Sequence, residues 1–445
     1  MMGLGGAGMS ALAKLLRGNR NFVTGCDLEP PHYDLGNIQC QIGHSPFHIK
    51  NGNYDLLVCS SAIDKNNPEV VFAKQNNIKV VSRAEALSEL FNSKFGIGIA
   101  GTHGKTTTSS MTGLIFLQAK KDPTVYVGAN VPDIGTNAMS GFGENFIAEL
   151  DESDGSFELF HPQIAIITNV DWDHVDHYKT HDDAIKAFVR FSKGLKRDGV
   201  LIICGEDEGA DKVFEACSRS NSKKIRYGFG NGFNWGAYDI NNKPGGGSIS
   251  KISHNNKEIG NLELRVSGEH NILNALAAIA AAYECGISFE QSAEILKNFH
   301  GSERRMQLKG EKNNILVIDD YAHHPTEMKA TIKALRLAYP DKKMILVFQP
   351  HRFSRTAQFA DEISEALSLA DEAFILPIYA ASEENTTGIT SQKIADLKKS
   401  KKTKINYVEF ENVLESVNKV IKSGNILVTM GAGNVFEIGE KFLTL

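Results

Sequence analysis

No stretch of the 445 residues approaches the ~20 consecutive apolar positions that a membrane-crossing helix requires. The longest candidate, ILNALAAIAAAY at 272–283, is short and contains Asn274. Basic charge is also scarce: 48 Lys and Arg face 53 Asp and Glu, a formal net charge of −5. That balance removes the broad positive field needed for nonspecific nucleic-acid binding, so any phosphate must be held locally. The six cysteines (Cys26, Cys40, Cys59, Cys204, Cys217, Cys285) lie far apart, with no CxxC pair and no metal-like clustering with histidine. This excludes a disulfide framework and fits reduced thiols in the cytoplasm. There is no internal repeat of 20 to 50 residues and no low-complexity tract beyond KKSKKTK at 398–404, which reads as a solvated helix end or loop. The opening MMGLGGAGMSALAKLL lacks the basic flank of a signal peptide, and its glycines are spaced for a turn. The expectation is a cytoplasmic protein that does not cross a membrane.

What is present is a globular composition, 42% hydrophobic and 23% charged. At about 150 residues per domain, the length allows roughly three domains. Short apolar runs alternate with helix-like stretches throughout, which predicts an α/β protein built on parallel sheets. Residues 1–92 hold NFVTGCDLE, YDLLVCSSAI and IKVVSRAEAL; 93–298 open with KFGIGIAGTHGKTTT and continue through NFIAELDES, PQIAIITNVDW and GVLIICGED. The Gly/Asn-rich stretch 228–260 reads as loops and hairpins embroidering that second unit, with a helix at 271–285 closing it. Residues 299–445 carry NILVIDDYAHHPTE, KMILVFQPHRFSRT, EAFILPIY and NILVTMGAG. In each, polar residues follow directly on an apolar strand, and ligands of open parallel sheets bind outside those strand ends.

The strongest motif is AGTHGKTTT at 100–108. Gly101 and Gly104 let backbone N–H groups approach phosphates, Lys105 neutralises them, and the hydroxyl of Thr106 suits magnesium. The loop is shorter than GxxxxGK[ST], because Ile99 stands where the first glycine would be. Gly3, Gly5 and Gly8 satisfy GxGxxG with Asp27 downstream, a dinucleotide-type turn and a weak signal alone. Only two residues precede Gly3, so the strand that should feed this turn is expected to be absent or truncated. Asn271 and Asn274 are three apart and share one helix face, where their amides can meet a base edge or serve as a cap and a buried polar contact. Arg352 and Arg355, beside His351, follow the strand KMILVFQP and are expected to form a fork for a carboxylate, or else a surface ion-pair network.

With its GTxGK[ST] loop, the chain resembles the Mur ligase and folylpolyglutamate synthetase superfamily. IAELDESDGSF at 147–157, TNVDWDHVDHY at 168–178, GEHNILNALAA at 268–278, GSERRMQ at 301–307, DDYAHHPTE at 319–327 and FQPHRFSRT at 348–356 look like successive motifs of one Mur ligase branch. The resemblance implies a three-domain architecture: a Rossmann-like domain for a UDP-sugar at 1–92, a central P-loop ATP-binding domain at 93–298 and a Rossmann-like amino-acid-binding domain at 299–445. It implies ATP-dependent ligation of L-alanine to UDP-N-acetylmuramate in peptidoglycan biosynthesis, through an acyl phosphate, releasing ADP and phosphate. ATP and Mg2+ are the cofactors implied, and the oligomeric state is left open, a homo-oligomer included.

Residue by residue, the resemblance assigns Gly101, Thr102, His103, Gly104, Lys105, Thr106, Thr107, Asn271, Asn274, Arg305 and Asp320 to ATP, with Arg305 toward the γ-phosphate and Asp320 toward the ribose. Thr106, Glu149 and His174 are assigned to magnesium, and Lys105, His174 and Arg305 to catalysis. Gly5, Gly6, Ala7, Gly8, Asp27, Ser60 and Ser61 are assigned to the UDP-sugar, and Tyr321, His323, His351, Arg352 and Arg355 to the amino acid, with His324 beside them. Taken without the motif around it, His174 reads equally as a core histidine paired with an aspartate. Lys186 and Lys193 lie near these motifs but in none of them, so no carbamoylated lysine is assigned. Three rivals stay open: the sister ligase that reattaches a tripeptide to the same sugar, a nicotinamide-dependent oxidoreductase built on GxGxxG, and a nucleotide-binding regulator without catalysis.

Overall fold

The structure is a computed structural model that describes residues 1–31, 33–217, 222–397 and 403–445. Most of the lysine-rich segment, 398–402, lies outside the described residues. The protein is α/β throughout, as the alternation predicts. In the first part, two parallel pairs, Thr24–Asp27 with Gln39–Ile42 and Leu56–Cys59 with Lys79–Ser82, are joined through Met2, which bridges both Cys26 and Cys59. The expected short feeding strand is thus a single rung: the Met2 amide donates to Val58 O at 2.9 Å and its carbonyl accepts from Ser60 N at 3.1 Å. The turn then enters the helix Ala7–Gly18, whose N-terminal N–H groups face the loop.

The central sheet has ten strands in the order Lys257–Leu264, Ser248–His254, Trp235–Asn242, Lys223–Phe229, Val200–Cys204, Ile164–Ile167, Phe95–Ala100, Asn145–Glu149, Thr124–Val131, Thr136–Met139. Strands 228–264 extend this sheet rather than decorate it. Their small and polar composition masks an alternation, interrupted by bulges, in which Trp235, Ala237, Ile252 and Leu262 are fully buried against the helix Glu269–Glu284 and its neighbours, while the left-handed glycines Gly245, Gly246 and Gly247 turn the chain. The helix Glu269–Glu284 is apolar on nearly every side because it also packs on the phosphate-loop helix Lys105–Gln118.

The last part is a six-stranded sheet ordered Gln307–Lys312, Ile315–Asp320, Ile426–Met430, Met344–Phe348, Glu372–Ile375, Lys404–Tyr407, parallel except for the first pair. Its core strands ILVID, MILVF and ILVTM are continuous apolar runs, which a parallel sheet covered on both faces demands. The carboxyl ends of this sheet and of the central sheet meet. Thr326 Oγ1 donates to Asp171 Oδ2 at 2.7 Å, Ser354 Oγ to Asp176 Oδ2 at 3.1 Å, and the buried Arg355 clasps the buried Asp173. Among the described residues no helix is long and apolar enough to cross a membrane.

Candidate active site

The strand Phe95–Ala100 ends in Gly101 and Gly104, and the backbone needs glycine at both. Gly101 has φ 135°, and a Cβ there would stand 2.0 Å from Thr168 Oγ1; Gly104 has φ 83°, and a Cβ there would stand 2.6 Å from Asn274 Oδ1. The loop is tied down from the neighbouring strand end, where Asn169 Oδ1 accepts from His103 N at 2.8 Å and Thr168 Oγ1 donates to His103 O at 2.6 Å. Helix Lys105–Gln118 starts directly behind it, aiming unpaired N–H groups and a positive dipole end at the loop.

Lys105 bends back over this loop. Its Nζ donates to Gly101 O at 2.6 Å and Thr102 O at 3.1 Å, and pairs with Glu152 at 2.7 Å. Burial works against the ammonium, but Glu152 and the neighbouring Asp151 outweigh it and raise the pKa of Lys105. Thr106 Oγ1 donates to Glu149 Oε1 at 3.0 Å, and Gly128 N donates to the other carboxylate oxygen at 2.7 Å, so two of the residues assigned to magnesium are adjacent. His174 has φ 52° and directs Nε2 to Glu152 Oε1 at 3.2 Å. The imidazole therefore meets the lysine's carboxylate and not that of Glu149. Lys186 and Lys193 are both exposed on the helix His181–Lys193, where Lys186 faces Asp183 at 3.9 Å.

A cavity of about 260 Å³ opens between the phosphate loop and the ends of the last sheet, lined among others by Thr107, Asn271, Asn274, Arg305, Asp320 and Glu327. Asn271 and Asn274 share a face as their spacing predicts, with Asn274 Nδ2 donating to Asn271 Oδ1 at 3.2 Å. Arg304 and Arg305 divide their duties. Both lie over the Tyr321 ring, 5.0 and 5.1 Å from its centroid, but Arg304 is committed to Asp319 at 2.9 Å and to the carbonyls of Gly431 and Gly433, whereas Arg305 has one loose carboxylate contact, Glu327 at 3.8 Å. Burial pushes Asp320 up to about 6, despite Arg305 and the amides of Ala322 and Met306 that donate to it at 2.7 and 2.8 Å.

Two carboxylates that organise the site lie inside the motifs at 147–157 and 319–327, with no spacing of their own to mark them in the sequence. One is Glu152. The other is Glu327, which meets His103 Nδ1 at 3.2 Å, Arg305 at 3.8 Å and His323 Nδ1 at 3.6 Å. Burial opposes the charge of Glu327, yet His323 when protonated, and at neutral pH the cationic His103 and Arg305, hold it well below the usual carboxylate range. In return His103, desolvated but facing Glu327 and Asp171, rises to about 9. Burial beside Arg355 lowers His323 to about 3 and His351 to about 4, and burial beside His103 lowers His324 to about 4. The pocket thus keeps these three imidazoles neutral at pH 7.

Arg352 and Arg355 do not form one fork. Arg352 caps the helix Phe353–Gln358 from outside with φ 69°, and its Nη1 sits 3.7 Å from Asp176 and 3.8 Å from Glu383. Arg355, on the first turn, is buried and makes a bidentate pair with Asp173 at 2.8 and 3.1 Å, leaving Nη1 toward His351 at 3.4 Å. The left-handed residue at the start of the helix turns the two guanidiniums apart. His351 stacks on Tyr379 and adjoins His323, which in turn meets Tyr321 edge-on.

At the first turn, Gly5 N donates to Asp27 Oδ2 and Leu28 N to Asp27 Oδ1, both at 2.7 Å, so Asp27 shapes the loop itself. Gly6 is the N-cap of the helix Ala7–Gly18, Gly8 lies against Arg83, and Ser60 follows the strand that flanks Met2, with Ser61 exposed beside it.

Sequence models of the Mur ligase family match most of this chain: its catalytic domain at residues 1–95, the middle domain at 99–282 and the glutamate ligase domain at 304–433. A UDP-N-acetylmuramate--L-alanine ligase of Desulforapulum autotrophicum is 40% identical over 450 residues, covering 100% of this chain and 97% of that protein. One from Lawsonia intracellularis is 41% identical over 451 residues, covering 100% and 98%. The crystal structure of the UDP-N-acetylmuramate-alanine ligase of Thermotoga maritima superposes with a TM-score of 0.81 at 27% identity, covering 100% of this chain and 97% of that one.

Proposed function

The chain belongs to the Mur ligase family, and from that premise we propose that it is an ATP-dependent ligase joining L-alanine to the lactyl carboxylate of UDP-N-acetylmuramate in peptidoglycan synthesis. The observation that carries this reading is the cavity in which the phosphate-loop residues His103, Gly104, Thr106 and Thr107 face Arg305, Asp320 and Glu327 across the junction of two sheets, with Lys105 folded over the same loop. A nucleotide bound there brings its terminal phosphate to the place where an acceptor carboxylate and an amine must meet. The three-part division at 1–92, 93–298 and 299–445 belongs to the same proposal, one part for each reactant.

In this reading the lactyl carboxylate attacks the γ-phosphorus, ADP leaves, and the alanine amine attacks the resulting acyl phosphate, expelling phosphate. Two anions must be brought together, so Lys105 and Arg305 offset the charge spread over the phosphoryl oxygens. Asn271 and Asn274 hold the adenine edge, and Asp320 the ribose. Gly5, Gly6, Ala7, Gly8, Asp27, Ser60 and Ser61 shape the UDP-sugar site. Tyr321, His323, His351, Arg352 and Arg355 receive alanine. The hydroxyl of Thr106 and the carboxylate of Glu149 are hard oxygen donors already adjacent at 3.0 Å, a donor set that fits magnesium. Bound magnesium would supply further neutralisation of the triphosphate. His174, a nitrogen donor, joins this set less readily.

ADP release is expected to require UDP-N-acetylmuramate, L-alanine and magnesium together in a coupled assay; release supported by a tripeptide in place of alanine would favour the sister ligase, and turnover of a nicotinamide cofactor would overturn the reading. For His174→Ala the expected result is a magnesium titration shifted to higher concentration at an unchanged melting temperature. An unchanged titration with a lower melting temperature would instead make the histidine a structural partner of Glu152.

A further inference from the structure

Sequence spacing separates Cys26 from every histidine motif, yet the fold brings it beside a histidine and a glutamate. Cys26 Sγ lies 3.4 Å from His44 Nδ1 and 3.4 Å from Glu69 Oε1, and His44 Nδ1 lies 3.7 Å from the same oxygen. The expectation that no cysteine clusters with histidine is therefore corrected: the residues come from the strand Thr24–Asp27, the loop after Gln39–Ile42 and the helix Pro68–Gln75, which the parallel pairing stacks together. We propose that Cys26, His44 and Glu69 form a site for a borderline-soft divalent cation such as zinc, distinct from the magnesium site at the phosphate loop.

Three observations carry this. The donor triangle has edges of 3.4, 3.4 and 3.7 Å, and zinc bonds of about 2.0 to 2.3 Å in a tetrahedron require ligand separations of roughly 3.3 to 3.7 Å. Thiolate, imidazole and carboxylate together are a donor set that zinc accepts and magnesium does not. Glu69 is only 2% exposed, and among the described residues the side chains that pair with it are the imidazoles of His44 and His48, with no lysine or arginine, so a metal would add a fixed positive charge beside a buried carboxylate. Outer-shell support is in place as well. Ser45 N donates to Glu69 Oε1 at 2.8 Å, and His48 Nδ1 meets that oxygen at 2.9 Å. Cys26 and Glu69 also line a cavity of about 220 Å³, which leaves the fourth corner accessible to water and gives the ion a way in. On binding, the Cys26 S–H bond breaks, its proton leaves to solvent, and the sulfur–metal bond forms. Because Asp27 is the next residue and accepts from Gly5 N, the cation would stiffen the glycine turn of the first unit.

The test titrates the full-length protein, freed of metal by chelator under a phosphine reductant, with Co2+ as a spectroscopic stand-in for zinc. The expected result is one equivalent bound, with a thiolate-to-cobalt charge-transfer band in the near ultraviolet and the intense visible bands of four-coordinate cobalt, all removed by Zn2+ and not by Mg2+. Cys26→Ser is expected to abolish the charge-transfer band, His44→Gln to weaken cobalt affinity on the order of tenfold or more, and Cys40→Ser and Cys59→Ser to leave the band intact. Absence of the band in the unmodified protein overturns the proposal without recourse to any variant, as does a band that survives in folded Cys26→Ser.

Discussion

Replacement of Lys105 by alanine is expected to lower the rate of ADP formation by at least ~100-fold, since removing one preorganised charge aimed at a transition state costs about 3 kcal/mol or more. The geometry adds a complication that the motif alone does not show. Lys105 is also the partner of the buried Glu152, at 2.7 Å, so the single substitution leaves a carboxylate short of charge and lowers stability as well. The double variant Lys105→Ala/Glu152→Gln separates the two roles. It should regain much of the lost melting temperature, because the orphaned charge is gone, while turnover stays at the level of the single variant. Near-normal turnover in Lys105→Ala would remove this lysine from phosphate chemistry. Turnover recovered in the double variant would mean that the lysine served only to neutralise Glu152.

The pair also marks what was legible in the sequence. Glycines at 101 and 104, a lysine and a threonine are adjacent in the chain, and their chemistry can be read locally because a loop and one helix turn fix their geometry. Asparagines three apart on a helix are equally local, and Asn271 and Asn274 meet as expected. Strand ends were legible too, since continuous apolar runs such as ILVID and MILVF can only be central strands of a covered parallel sheet. Glu152 and Glu327 were not, because a carboxylate acquires its role from partners that the sequence does not juxtapose: Lys105 lies 47 residues from Glu152, and His103 reaches Glu327 from another sheet. For the same reason the spacing of Arg352 and Arg355 suggested one fork, whereas a left-handed Arg352 and a buried Asp173, 182 residues from Arg355, send the two guanidiniums to different carboxylates. In the stretch 228–264, small polar residues hid the alternation that makes it sheet, because a glycine or serine facing solvent carries no strand signal of its own.

Arg355→Lys is expected to raise the apparent Michaelis constant for alanine by roughly ten- to a hundredfold and that for ATP little, since charge-assisted hydrogen bonds contribute on the order of 1.5 to 3 kcal/mol. The guanidinium already gives Nε and Nη2 to Asp173, so alanine's carboxylate would be met by Nη1, which points to His351 at 3.4 Å. Asp173 thus acts as the clamp that orients the fork. Burial disfavours its charge, but Arg355 and His174 hold its pKa well below the usual value, so the clamp stays ionised at pH 7. Its contribution to stability is complete above the unfolded carboxylate pKa near 4 and is lost only as pH falls below that toward the depressed folded value. A lysine at 355 keeps one charge but cannot span both Asp173 oxygens and still present a planar N–H to a second carboxylate. Asp173→Asn is the companion test: it retains a polar contact but frees the guanidinium to swing, and should raise the alanine constant in the same direction at unchanged ATP dependence. Equal weakening of ATP and alanine would place Arg355 on the phosphates. A lowered melting temperature with both constants unchanged would make the Arg355–Asp173 pair a pin between the central and last sheets and nothing more.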